Sequence, residues 1–195
     1  MGFYIHVQET PNPSAVKFIS FYTVKSEGKS YYKTAEAASA NPLAQTLFGV
    51  PGIEALYFFD NYITVTKTAD ADWGDVSTAV LELLQRDLPI HSPDYVDPPE
   101  NGSEPAVEKT PEILQIEEIL DRTIRPYLVS DGGGIDVVER QGNRIFVKYQ
   151  GACGTCPSSI GGTLIAIQNL LRDELGPDIE VIEVGGLLSQ LTPDD

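Results

Sequence analysis

Residues 93–110 read Pro-Asp-Tyr-Val-Asp-Pro-Pro-Glu-Asn-Gly-Ser-Glu-Pro-Ala-Val-Glu-Lys-Thr, with four prolines, five acids and one lysine. Almost nothing in this run can be buried, and each proline lacks the backbone donor that a helix or sheet interior needs. The composition predicts an extended, hydrated linker. No single core can then span the 195-residue chain. Two small domains are expected instead, residues 1–92 and residues 111–195, joined by residues 93–110.

Charge narrows the partners. Thirteen Lys and Arg stand against 29 Asp and Glu, a net charge of −16. The first domain carries 6 bases and 10 acids and the second 6 and 14, so no basic patch hides behind an acidic tail. Nucleic-acid binding draws on clustered cations and is not expected. No stretch approaches the ~20 apolar residues of a membrane span. Met1 to Thr10 lacks the basic-then-apolar pattern of a secretion signal. The first basic residue is Lys17, which argues against an Arg-rich transit peptide, and His6 stands where a myristoylation motif takes Ser or Thr. The cytoplasm is the expected compartment.

Both domains read as α+β. In the first, Phe3, Ile5 and Val7 alternate with polar neighbours as in a strand, Thr10-Pro-Asn-Pro13 breaks it, and Val16–Ser20 resumes. Glu54–Phe59 and Tyr62–Thr66 flank Asp60-Asn61, two residues suited to a tight hairpin turn. A short helix is expected over Pro42–Phe48, and Asp72 caps one whose stripe is Trp73, Val76, Val80, Leu83 and Leu84. The second domain predicts the order α-β-β-α-β. Thr110-Pro111 opens a helix with the stripe Ile113, Ile116, Leu120, Ile124 and Tyr127, kinked by Pro126 and stopped by Asp131-Gly-Gly-Gly134. Strands follow at Ile135–Glu139 and Arg144–Tyr149, then a loop over Gly151–Cys156, a helix over Pro157–Leu175 and a strand over Ile179–Val184.

The chain has two cysteines, Cys153 and Cys156, in Gly151-Ala-Cys-Gly-Thr-Cys-Pro-Ser-Ser159. The expected handover from strand to helix puts Cys156 at the N-cap and Pro157 at N1, where unpaired N–H groups and the helix dipole favour a thiolate. Small neighbours leave the sulfurs uncovered. A pair of inert buried cysteines does not account for this spacing in a glycine-rich helix start. One chemical reading is a thiol-disulfide oxidoreductase with a thioredoxin-like Cys-Gly-Thr-Cys, although no β-α-β unit leads into it and proline follows the second cysteine rather than separating the two. The other is a metal site. Zinc in a structural site, or an iron-sulfur cluster, takes four protein ligands, and one chain supplies two. His6 and His91 lie in or beside the other domain, where a solvated or ordinarily packed histidine is expected. Two copies of the motif across a symmetry axis supply four thiolates, so a metal-bridged homodimer is the expected form.

Ile124-Arg-Pro126, Asp131-Gly-Gly133, Gly151-Ala-Cys-Xaa-Xaa-Cys-Pro-Ser-Ser159 and the hairpin between them resemble the Nfu family, the NifU C-terminal-like iron-sulfur carrier proteins. The first domain resembles the Nfu N-terminal domain through Gln8-Glu-Thr-Pro-Asn-Pro13, Lys17-Phe18, Asn41-Pro-Leu43, Gly52-Ile53, Tyr62-Ile-Thr-Val-Thr-Lys67 and Asp72-Trp73. The resemblance implies a 4Fe-4S cluster, with 2Fe-2S as the alternative, held between two subunits by Cys153 and Cys156 of each. It further implies that the cluster is received from an upstream donor and delivered to apo iron-sulfur proteins, a carrier's role rather than an enzyme's. Backbone N–H groups are the expected compensators of the cluster's negative charge, with Arg122 and Arg125 as weaker candidates. One departure stands out. Ile160-Gly-Gly-Thr163 replaces a stronger helix former, and each glycine costs about 1 kcal/mol against alanine.

Overall fold

The computed structural model describes residues 3–97, 110–155 and 157–185, with the backbone alone at 155 and 157–160. The chain divides into two compact units, Met1–Ser103 and Glu104–Asp195.

The first unit is a five-stranded antiparallel sheet built from β1 (His6–Glu9), β2 (Ala15–Ile19), β3 (Lys25–Tyr32), β4 (Ile53–Asp60) and β5 (Tyr62–Lys67), in the order β1-β2-β5-β4-β3. Its helices are α1 (Pro42–Phe48) and α2 (Trp73–Asp87). Phe18, Leu56, Phe58, Ile63 and Val65 form one core with Leu47 of α1 and Val76, Val80 and Leu84 of α2. Both helices start where side-chain oxygens take up unpaired backbone donors. Ala44 N donates to Asn41 Oδ1 at 3.1 Å and Gly74 N to Asp72 Oδ1 at 2.7 Å. The β4–β5 turn is tight because Asp60 adopts φ +47.

Two expectations shift here. The first strand begins at His6 rather than Phe3, because pairing of Val7 with Phe18 sets its register; Ile5 is still buried, but Val7 is exposed. The start of the expected linker is held by this unit. Ser26 N donates to Pro93 O at 3.1 Å, and Lys25 Nζ donates to Tyr95 O at 2.5 Å while lying over the Tyr95 ring. Asp97 accepts from the hydroxyls of Ser30 and Tyr32. Tyr95 and Asp97, acidic-linker residues by composition, thus serve the edge strand β3.

The second unit places α3 (Pro111–Thr123) and α4 (Arg125–Ser130) before β6 (Gly133–Gln141), β7 (Arg144–Gly151), a 3-10 turn (Ala152–Thr155), α5 (Pro157–Leu175) and β8 (Glu180–Glu183). The sheet order is β6-β7-β8, antiparallel then parallel. A parallel pair needs a long crossover, which α5 provides. Ile116 and Leu120 of α3, Ile135, Ile145 and Val147 of the hairpin, and Ile167 and Leu171 of α5 form the core. Pro126 breaks the first helix outright at Ile124 rather than kinking it. Its effect is visible at Tyr127, which is 72% exposed instead of continuing the stripe, while Leu128 turns inward.

Candidate metal centre

The cysteine loop is made by the end of β7 meeting the start of β6. Gly151 closes β7 with φ +62 and Gly132 precedes β6 with φ +79, conformations that favour glycine. Ala152 N donates to Gly132 O at 3.2 Å, which ties the loop to the turn after α4. Cys153 then lies in the 3-10 turn as a reduced, half-buried thiol packed against the core of its unit. α5 starts at Pro157, four residues on, as the sequence predicts. Cys156 lies outside the described residues.

Gly133 is the floor under Cys153. A Cβ at Gly133 would stand 2.5 Å from Cys153 Sγ, 2.9 Å from Cys153 N and 2.8 Å from Gln150 O. Charge on this sulfur bears on Tyr149. Its side chain is buried and its hydroxyl has no hydrogen-bond partner. Burial raises the pKa of that hydroxyl, and negative charge at Cys153 and Glu183 raises it further, so it is a neutral phenol. Neither residue is singled out by the sequence reading. The second glycine after Asp131 was the available signal, since one suffices to end a helix.

The arginines are occupied elsewhere. Arg122 pairs with Glu174 of α5 at 2.8 Å. Arg125 pairs with Glu117 at 2.5 Å and Asp121 at 2.6 Å, and its Nε and Nη2 donate to Ile135 O at 3.3 and 3.2 Å. Burial alone would lower the Arg125 pKa, but the hydrogen bond it donates to Asp121 and the charge of Glu117 outweigh that and raise it. Arg125 therefore clamps α3 to β6, a different role from compensating a charge at the cysteines. His91 Nε2 lies 2.8 Å from Val24 O in the first unit, its pKa lowered by burial, and His6 is exposed on β1. Among the described residues no group of three His, Cys, Asp or Glu could hold a metal, and no helix is long and apolar enough to cross a membrane. Thiolates remain the donors that suit a metal here, and one described chain segment offers Cys153 alone.

Comparison with known proteins agrees with this layout. The family model for "Scaffold protein Nfu/NifU N terminal" matches residues 5–89, and that for "NifU-like domain" matches residues 116–182. The mitochondrial NFU1 iron-sulfur cluster scaffold homologues of Drosophila grimshawi and Drosophila persimilis are each 32% identical over 185 residues. These matches cover 92% of this chain and 61% and 64% of the two relatives, so the chain spans less than two thirds of their length. Among solved structures, a NifU-like protein from Saccharomyces cerevisiae is 24% identical with a TM-score of 0.44, covering 53% of this chain and 87% of that one. A Staphylococcus aureus protein is 20% identical with a TM-score of 0.38, covering 43% of this chain and 99% of that one. Likeness at that level adds nothing beyond the family models. With both units matched in order, and the cysteine loop inside the second match, the chain belongs to the Nfu family.

Proposed function

We propose that this protein is an iron-sulfur cluster carrier. It would bind a 4Fe-4S cluster between two copies of the chain through Cys153 and Cys156 of each, with 2Fe-2S as the alternative, and pass it to apo iron-sulfur proteins after receiving it from an upstream donor. The observation that carries this reading is the reduced Cys153, half-buried on a glycine-bounded loop within the NifU-like unit of a chain with two cysteines. The cluster is cargo. Release is ligand exchange: an iron–thiolate bond to the carrier breaks as one to a client cysteine forms, with no change in oxidation state and no bond-making catalysis. With Arg122 and Arg125 paired to carboxylates, backbone N–H groups of the loop and of the start of α5 are left as the compensators of cluster charge.

The relatives' names support the cargo. The two-thiolate count supports the homodimer. We propose the cytoplasm as the compartment, which cell fractionation checks; the mitochondrial label belongs to the relatives. Anaerobic reconstitution with iron and sulfide tests the whole reading. The wild type should become a brown dimer, and Cys153→Ser or Cys156→Ser should lose both colour and dimer. A colourless dimer with half a zinc per chain, or a monomer that reduces insulin disulfides, would replace it with a structural zinc site or a thiol oxidoreductase.

A further inference from the structure

We propose that Gly133 is a positioning residue for the cargo: the space left by its missing side chain is the seat of the Cys153 sulfur. Three glycines bound the cysteine loop, and they do so for different reasons. Gly132 and Gly151 have left-handed φ angles, which a side chain would strain. Gly133 does not, so its backbone conformation admits any residue. What excludes a side chain there is contact. A Cβ would come within 3.0 Å of three atoms, of which Cys153 Sγ, at 2.5 Å, is the nearest.

The other two contacts limit how the clash can be relieved. Gln150 O belongs to β7, whose Gln150 and Gly151 are in register with Gly134 and Gly133 of β6, so the strand cannot retreat without opening the ladder. Cys153 N is the backbone of the loop itself. The loop must therefore lift, carrying the sulfur off β6. Two thiolates three residues apart bind one cluster only if both sulfurs stand at the right separation, and metal sites tolerate little displacement of their ligands. The consequence for cargo rests on the cluster reading above; the seat itself does not.

The experiment therefore has an apo arm and a loaded arm. In the apo arm, thermal melts of the full chain are compared for Gly133→Ala in the wild-type and Cys153→Ala backgrounds. The loss of melting temperature should be smaller without the sulfur, because the nearest obstacle is gone. Equal losses overturn the seat. If Gly133→Ala fails to fold with Cys153 present, a folded double variant supports the proposal and an unfolded one overturns it. In the loaded arm, folded Gly133→Ala should take up iron and sulfide about 10–100-fold more weakly than wild type. Gly142→Ala is the control: unlike Gly133, that glycine has a left-handed φ, +60, and a Cβ there meets open space in the β6–β7 turn. It should lose stability yet load fully. Wild-type loading by Gly133→Ala overturns the proposal while leaving the carrier reading intact. Failure of the wild type to load overturns the carrier reading, and the apo arm still decides on the seat.

Discussion

Tyr31 and Tyr149 each bury a hydroxyl that finds no partner, one in each unit. Such a group loses its water without replacement, a cost of about 1–3 kcal/mol. Its acid chemistry is displaced as well. Burial, followed by the negative charge of Glu54, pushes the Tyr31 pKa up to about 12. An unfolded tyrosine ionises near pH 10, so below that pH both states hold the proton and the contribution of Tyr31 is fully present. As pH rises from about 10 towards 12 the unfolded chain ionises first, and stability is lost, on the order of 2 kcal/mol for a shift of this size. Tyr31→Phe should therefore flatten the fall in urea midpoint between about pH 9 and about pH 11 without lowering the midpoint at neutral pH. A midpoint that falls as steeply in the variant as in wild type would show that other groups carry the alkaline loss.

Elements were readable wherever a local chemical signal set their ends. Pro42, Asp72, Thr110 with Pro111, and Pro157 stand at four expected helix starts that the structure reproduces. Strand β3 was not readable. Lys-Ser-Glu-Gly-Lys-Ser-Tyr-Tyr has little apolar alternation, and Gly28, with φ +69, accompanies a register shift that breaks the period midway. Its place in the sheet comes from pairing with β4, a tertiary fact. The cysteine loop divides in the same way: spacing and composition point to thiolate chemistry, metal or redox, whereas the close approach of Gly133 requires knowing which strand lies beneath the loop. Helix α5 offers a test at this scale. Neither Gly161 nor Gly162 has a left-handed φ, and a Cβ at either meets nothing. Replacing each with alanine should stabilise the apo second unit by about 1 kcal/mol, read from denaturant unfolding. No gain, or a loss, would mean that these glycines serve something beyond helix formation.

Across the molecule, two units with separate cores mean that no single unfolding free energy describes the chain. Calorimetry should resolve two transitions, and substitutions should sort between them. Asp97→Ala is the informative case, because by composition this residue belongs to the linker and by contact it belongs to β3. It removes the acceptor of the Ser30 and Tyr32 hydroxyls, so the first unit's transition should fall by the equivalent of about 1–2 kcal/mol while the second stays put. An unchanged first transition would return Asp97 to the linker. The parallel pairing of β7 with β8 also carries a consequence for biosynthesis. Both cysteines precede α5, and β8 cannot pair until that helix has been made. At ribosomal speeds β8 emerges on the order of seconds after the thiols. Newly made chains thus present Cys153 before β8 has joined the sheet that carries its loop.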